Sequence, residues 1–353
     1  MQIFIQPFTV HKRVPLTISR GTTAASTNIW LRIEQDGIEG WGEASPFSIG
    51  DYAQSTEAIA SELQNLIPLL EPLSPWEHQK IAQILRQHQL SSAAHAALDT
   101  ALHDWLGKSV QQPLWYLWGL DRSQIGPTAV TIGLNSPAGA QQRLRDWLQL
   151  TQIQAIKVKL GSPDGIEADQ AMLEAVLQAS PADAKVSIDA NGGWSLNQAL
   201  KMSTWLAQQG VTYIEQPLAR GQEQDLQVLY ERSPLPIFVD ESCFTSQDIP
   251  PLADRVHGIN IKLMKSGGLT EAMRMIHTAR ACGLQVMFGC YSNAAIANTA
   301  LAQLSPLVDH IDLDSHLNLK DDPFTGALMQ EGCLWPNAQP GLGVQIRGEM
   351  ACV

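Results

Sequence analysis

Residues 155–161 read AIKVKLG, two lysines set two positions apart inside a run of Ile, Val and Leu. Read as a strand, the run sends Lys157 and Lys159 to the same face, because side chains alternate along an extended backbone. Two ammonium groups side by side disfavour each other's charge, so at least one of these lysines is expected to have a lowered pKa and to act as a base near neutral pH.

Outward from this stretch, similar short β-rich runs recur at 128–132, 185–190, 211–216, 236–241, 258–263, 284–290 and 310–315. Between them lie segments with apolar residues at helical spacing, such as GIEADQAMLEAVLQAS (165–180) and LTEAMRMIHTARACG (269–283). Strand–helix alternation implies parallel pairing with right-handed crossovers, and eight such strands imply a closed barrel. The fold class is therefore α/β, a TIM-like (β/α)7β barrel over residues 127–319. No helix is legible after the eighth strand, where the Gly/Pro-rich stretch 323–344 is expected to return elsewhere. Residues 1–126 differ: the stretches 2–11 and 26–45 carry strand-like runs, with an Asp36-Gly37 turn signal between two of them, and helical patterns follow over Thr56 to Leu70 and Trp76 to Gly107. These form an α+β capping domain, joined by the C-terminal segment from about 320 to 353.

In a parallel barrel the C-terminal strand ends converge on one mouth. Lys157 and Lys159 end the second strand, Asp189 the third, Glu215 the fourth, Asp240 the fifth and Lys262 the sixth. Three consecutive strands thus each deliver one carboxylate to the same rim. Such a cluster repels itself unless a cation neutralises it, and hard oxygen ligands suit Mg²⁺. Lys159 lies one strand before the first carboxylate and Lys262 one strand past the last, so the two face each other across the metal as a two-sided acid/base pair. Lys265, after the sixth strand and near Gly267-Gly268, reads as a loop residue.

The chain has 353 residues, 44% of them hydrophobic, and a net charge of −12, which argues against a nucleic-acid or anionic-membrane surface. Its five cysteines are scattered, without C-x-x-C spacing, so neither a disulfide framework nor a zinc site is indicated. With no uninterrupted apolar run of spanning length, the expectation is a cytoplasmic protein acting on a small molecule, with no nucleic-acid or membrane partner; a homo-oligomer is compatible with the sequence.

The ordered motifs GWGEASPF (40–47), AALDTALHDWLGK (96–108), IKVKLG, SIDANGGWS (187–195), YIEQPL (213–218), FVDES (238–242) and NIKLMKSGGL (260–269) together resemble the enolase superfamily, muconate-lactonizing subgroup. The resemblance covers nearly the whole chain. It implies Asp189, Glu215 and Asp240 as Mg²⁺ ligands and Lys159 and Lys262 as bases. Within the subgroup, DLD at 312–314 is similar to the Asp-x-Asp motif of dipeptide epimerases such as the L-Ala-D/L-Glu epimerases, where paired aspartates bind the substrate's α-ammonium. Arg20 falls where relatives with acidic substrates carry an arginine for the distal carboxylate, and Thr131 and Cys290 correspond to positions lining the substrate. One departure is Asn293, standing where many relatives have Glu; this bears on side-chain preference more than on chemistry.

The expected function is Mg²⁺-dependent epimerisation of a dipeptide, L-Ala-D/L-Glu or another L-Ala-X, at the Cα beside its terminal carboxylate. Lys157 adds an electrostatic contact to that carboxylate, and an enediolate forms on removal of the proton. The alternatives are o-succinylbenzoate synthase, N-acylamino-acid racemase or muconate cycloisomerase, over which Asp312 and Asp314 favour an ammonium-bearing substrate. From another class, a non-catalytic metal-binding barrel would have lost a base or a ligand, and none is lost.

Overall fold

A computed structural model describes residues 1–50 and 52–348. The chain opens with three antiparallel strands, β1 (Gln2–Ile18), β2 (Gly21–Gln35) and β3 (Ile38–Ala44). Asp36 and Gly37 join β2 to β3 with φ of 55° and 72°, the left-handed pair that the sequence signals, matching the twist of the flanking strands. In β1 the pairing with β2 shifts register between His11 and Leu16, and Lys12 there bridges Leu319 instead. A short hairpin of β4 (Phe47–Ile49) and β5 (Tyr52–Gln54) leads to helix α1 (Thr56–Leu70), whose start is capped by the Ser55 hydroxyl.

The helical pattern expected to run from Trp76 to Gly107 is two helices, α2 (His78–Gln87) and α3 (Ser92–Ser109). The break falls at Gln89, whose φ of 48° no right-handed helix accommodates. Alanine-rich α3 lies directly on β3, which is why Gly40 and Gly42 are required: a Cβ at either would come within 2.2 Å and 1.8 Å of the Ala101 and Ala97 carbonyl oxygens. A one-turn α4 (Leu114–Leu117) ends this part.

The barrel follows, strand and helix alternating up to its fifth strand: β6 (Ala129–Ile132), α5 (Pro137–Leu150), β7 (Ala155–Lys159), α6 (Ile166–Ala179), β8 (Lys185–Asp189), α7 (Leu196–Gln208), β9 (Ile214–Glu215), α8 (Leu226–Arg232) and β10 (Ile237–Val239), after which two 3₁₀ turns at Ser246–Asp248 and Pro250–Leu252 take the place of a helix. The second half is β11 (Gly258–Lys262), a short α9 (Leu263–Ser266) and α10 (Leu269–Ala281), β12 (Gln285–Gly289), α11 (Ala295–Ala302) and β13 (His310–Ile311). The eight strands pair in parallel in chain order, and a bridge from Thr128 to Ile311 closes the ring. After β13 comes one 3₁₀ turn rather than a helix.

The chain then returns to its beginning through the pairs β14 (Phe324–Thr325) with β17 (Gln345–Ile346) and β15 (Leu328–Gln330) with β16 (Cys333–Trp335). Phe324 packs edge-on against Phe8 and Trp30. Buried Asp104 on α3 accepts the Leu342 N–H at 2.7 Å. Residues 349–353, and with them Cys352 and the end of the expected returning segment, lie outside the described residues.

Candidate active site

The β1–β2 turn, the β4–β5 hairpin and the barrel mouth enclose a cavity of about 690 Å³. Its floor comes from the strand ends. Lys157 and Lys159 project inward from β7, and both are buried. Asp189, Glu215 and Asp240 follow on the next three strand ends, each with no exposed surface. Lys159 Nζ lies 2.6 Å from Asp189 Oδ2, Lys262 Nζ 2.6 Å from Asp240 Oδ2, and Lys157 Nζ 2.6 Å from both Glu215 Oε2 and Asp312 Oδ2. Lys159 and Lys262 both line the cavity, as do Thr131, Cys290, Asp312, Asp314 and Arg20. Lys157, Asp189, Glu215 and Asp240 do not themselves line the cavity; they are buried next to it, ion-paired to one another or to Lys159, Lys262 and Asp312, which do.

Local structure holds these groups in place. Gln216, in the left-handed region at φ 37°, turns its amide so that Oε1 accepts the Asp240 backbone N–H at 2.8 Å. Asn191, at φ 45°, donates from its backbone and its side chain to Asp189. Non-glycine residues in this region carry strain that surrounding contacts must offset, and both lie next to a carboxylate. Gly289 ends β12 where a Cβ would come 2.6 Å from Asn260 Nδ2 and 3.0 Å from Lys262 Cε, so the glycine leaves room for the Lys262 side chain.

The charges decide the protonation states. Burial opposes the ammonium of Lys157, but Asp312 and Glu215 hold its pKa well above the usual lysine range. Lys159 and Lys262 are likewise held above it against burial, by Asp189 and Asp240. The expectation that neighbouring lysines lower one another's pKa is therefore overturned: Lys157 does push Lys159 down, but Asp189 outweighs it. Burial would raise the Asp240 pKa, yet Lys262 and Lys265 keep it far below the carboxylate range. Glu215 is pushed up to about 7 by burial and by Asp189.

Three further readings need correction or addition. Lys265 is no loop residue: it is buried in α9, with Nζ donating to Asp240 Oδ1 at 2.7 Å, to the Asp240 carbonyl and to the Asn260 carbonyl at 3.0 Å. Arg20 reaches the cavity, but its guanidinium is engaged by Glu241 at 2.8 Å and by the Asn191 carbonyl at 2.9 Å. Asn293 points away from the cavity, donating to Ser45 and accepting from the Tyr291 N–H. Sequence reasoning also missed Lys12 and Arg143, which line the cavity, and Glu43, which gathers hydrogen bonds from Asn28, Ser45, Ala294 and Ala297 and so ties β3 to the loop after β12. Only Glu43 had a sequence signal, within the GWGEASPF motif.

The donor set suits a hard cation: three buried carboxylates on successive strands, with Glu215 Oε2 in ion-pair contact but without a hydrogen bond of acceptable angle. Among the described residues no three such side chains converge on one point; each carboxylate leans toward its own lysine instead.

A hydrophobic dipeptide epimerase of Flavobacteria bacterium (strain MS024-2A) is 44% identical over 350 residues, 99% of each chain. Another, from Roseobacter litoralis, is 43% identical over 336 residues, 94% of this chain and 95% of its own. A dipeptide epimerase of Enterococcus faecalis V583, solved with Mg and the dipeptide L-Leu-L-Tyr, superposes with a TM-score of 0.90 at 29% identity, over 97% of this chain and 98% of its own. A family model described as the mandelate racemase / muconate lactonizing enzyme N-terminal domain matches residues 1–119, and one described as enolase C-terminal domain-like matches 139–350. With family models matching both its cap and its barrel, the chain belongs to the mandelate racemase/muconate lactonizing enzyme family of the enolase superfamily.

Proposed function

We propose that the protein is a Mg²⁺-dependent dipeptide epimerase that inverts the Cα beside the terminal carboxylate. The observation that carries this reading is the placement of Lys159 and Lys262 on one cavity, on opposite sides of the three carboxylates, with the Asp312–Asp314 pair at the same mouth. Asp189, Glu215 and Asp240 would hold the metal, which when bound supplies positive charge to the substrate carboxylate as its α-carbon loses a proton. Lys157, buried beneath, adds a cation on that side. One of Lys159 and Lys262 takes the α-proton from its face and the other returns a proton to the opposite face, so the centre inverts. Asp312 and Asp314 accept the α-ammonium, a role that suits two carboxylates on one strand end.

The division of labour we infer assigns proton transfer to the barrel (127–319) and side-chain selection to the cap (1–126, with the segment from about 320). Arg20, neutralised by Glu241, is poorly placed to attract a second carboxylate, and Leu16, Ile18, Phe47 and Tyr291 give the adjoining wall an apolar character. These features, with the names of the relatives, support an apolar second residue over Glu. We place the enzyme in the cytosol, in line with the unpaired Cys243, Cys282, Cys290 and Cys333.

The test is α-proton exchange in D₂O with Mg²⁺ on L-Ala-L-Leu, L-Ala-L-Glu and L-Ala-L-Lys. Deuterium at Cα with inversion, fastest for L-Ala-L-Leu, is expected. Exchange of none of them would remove the dipeptide reading, and preference for L-Ala-L-Glu that Arg20→Ala abolishes would restore Arg20 as the carboxylate receptor.

A further inference from the structure

The cavity holds two cations that the proposed chemistry does not use. Lys12 sits in the register shift of β1, is 5% exposed, and among the described residues makes a single side-chain hydrogen bond, to the Ser292 hydroxyl at 2.8 Å. Arg143 on α5 is 8% exposed, stacks over Trp147 with its guanidinium carbon 4.2 Å from the ring centroid, and makes no hydrogen bond among the described residues. Neither has a carboxylate within ion-pair distance there, unlike every other buried lysine of the site. Both are desolvated, and for both burial pulls the pKa down while Asp314 pulls the other way. They therefore lie on the Asp312–Asp314 side of the cavity, where Trp147 also donates to the Thr131 carbonyl and Asp314 accepts the Thr131 N–H.

A buried cation without an anion beside it is unfavourable, because burial strips away hydration that nothing replaces. Its remaining donors, two on Lys12 and up to five on Arg143, face a cavity large enough for a dipeptide. If Asp312 and Asp314 take the substrate's ammonium, the group nearest to Lys12 and Arg143 is the side chain of the first residue. Resting on the dipeptide reading, we propose that Lys12 and Arg143 form a carboxylate receptor for that side chain, so that the preferred substrates carry L-Asp or L-Glu first and an apolar residue second. One subsite then combines two aspartates for the ammonium, Asp312 keeping its ion pair with Lys157, with two cations for the carboxylate, so a first residue bearing both groups meets a partner for each.

The decisive comparison is L-Asp-L-Leu against its neutral isostere L-Asn-L-Leu, with L-Ala-L-Leu and L-Lys-L-Leu alongside, read as α-proton exchange in D₂O with Mg²⁺. For the native enzyme, kcat/KM for L-Asp-L-Leu should exceed that for L-Asn-L-Leu at least tenfold, with L-Lys-L-Leu poorest. Lys12→Met and Arg143→Met should each bring the Asp/Asn ratio to within about threefold of unity, and Lys12→Arg should keep most of it. Equal turnover of L-Asp-L-Leu and L-Asn-L-Leu by the native enzyme overturns the inference without any variant. So does a Lys12→Met variant that loses activity by one factor on all four dipeptides, because that marks a structural lysine. Exchange of L-Ala-L-Leu without Asp/Asn discrimination would leave the epimerase reading standing and remove only the receptor, whereas exchange of no dipeptide would remove both.

Discussion

Lys262 and Lys265 stand three residues apart and both touch Asp240, yet only Lys262 lines the cavity. Lys265 is spent on the Asp240 carboxylate and two carbonyls, a positioning role. Replacing Lys159 or Lys262 by Ala should therefore lower net epimerisation by at least 10²-fold, while the remaining lysine still exchanges the α-proton of one epimer with solvent. Mass spectrometry of the separated epimers in D₂O checks this, and full turnover by Lys262→Ala would mean that the wrong lysine was assigned. Asp240→Asn should leave Lys265 without its buried anion. About 3–5 kcal/mol of stability should go with it, seen as a lowered urea midpoint in metal-free enzyme. Residue identity at the mouth was legible in the sequence because one strand end recurs per strand–helix unit. The engagement of Arg20 by Glu241 was not, since the two are 221 positions apart and meet only when the cap turn closes on the barrel rim.

At the scale of elements, β12 and the loop after it link the chemistry to the cap. Gly289→Ala should press a methyl group against Asn260 and the Lys262 stem, and we expect kcat to fall at least tenfold with little change in melting temperature. Unchanged kcat would show that the neighbours yield. Glu43 anchors the same loop to β3, and burial pushes its carboxyl up to about 7. A carboxyl whose folded pKa lies above its unfolded value stabilises the fold fully below the unfolded value of 4.5, and that contribution is lost as pH rises through about 7. Glu43→Gln should thus cost about 1–3 kcal/mol near pH 5, where both side chains are neutral, because its amide cannot accept from every donor around it. The deficit should narrow by pH 8. Melting curves of both proteins from pH 5 to 8 measure it, and a constant gap would place the Glu43 titration elsewhere. The helices show the same division: α1 matches its apolar periodicity end for end, whereas the break between α2 and α3 depends on a left-handed Gln89 with no Gly or Pro to announce it.

For the whole molecule, the three carboxylates are neutralised by lysines in the absence of metal, so binding of Mg²⁺ should add stability by mass action. At a free concentration a hundred times the dissociation constant this amounts to about 2.7 kcal/mol, and chelator should reverse it together with activity. A melting temperature and a turnover both indifferent to chelator would remove the ligand assignment. The sequence by itself determined the barrel, its eight strands and the carboxylates and lysines at its rim, because both the strand period and the strand–helix repeat are local and write themselves into residue order. Only the tertiary structure decided which charges are already paired: Lys265 with Asp240, Arg20 with Glu241, and Lys12 and Arg143 with no carboxylate in reach among the described residues. Pairing of this kind depends on distances between segments far apart in the chain and on burial that raises the cost of an unmatched charge, and neither is encoded in any single stretch of residues.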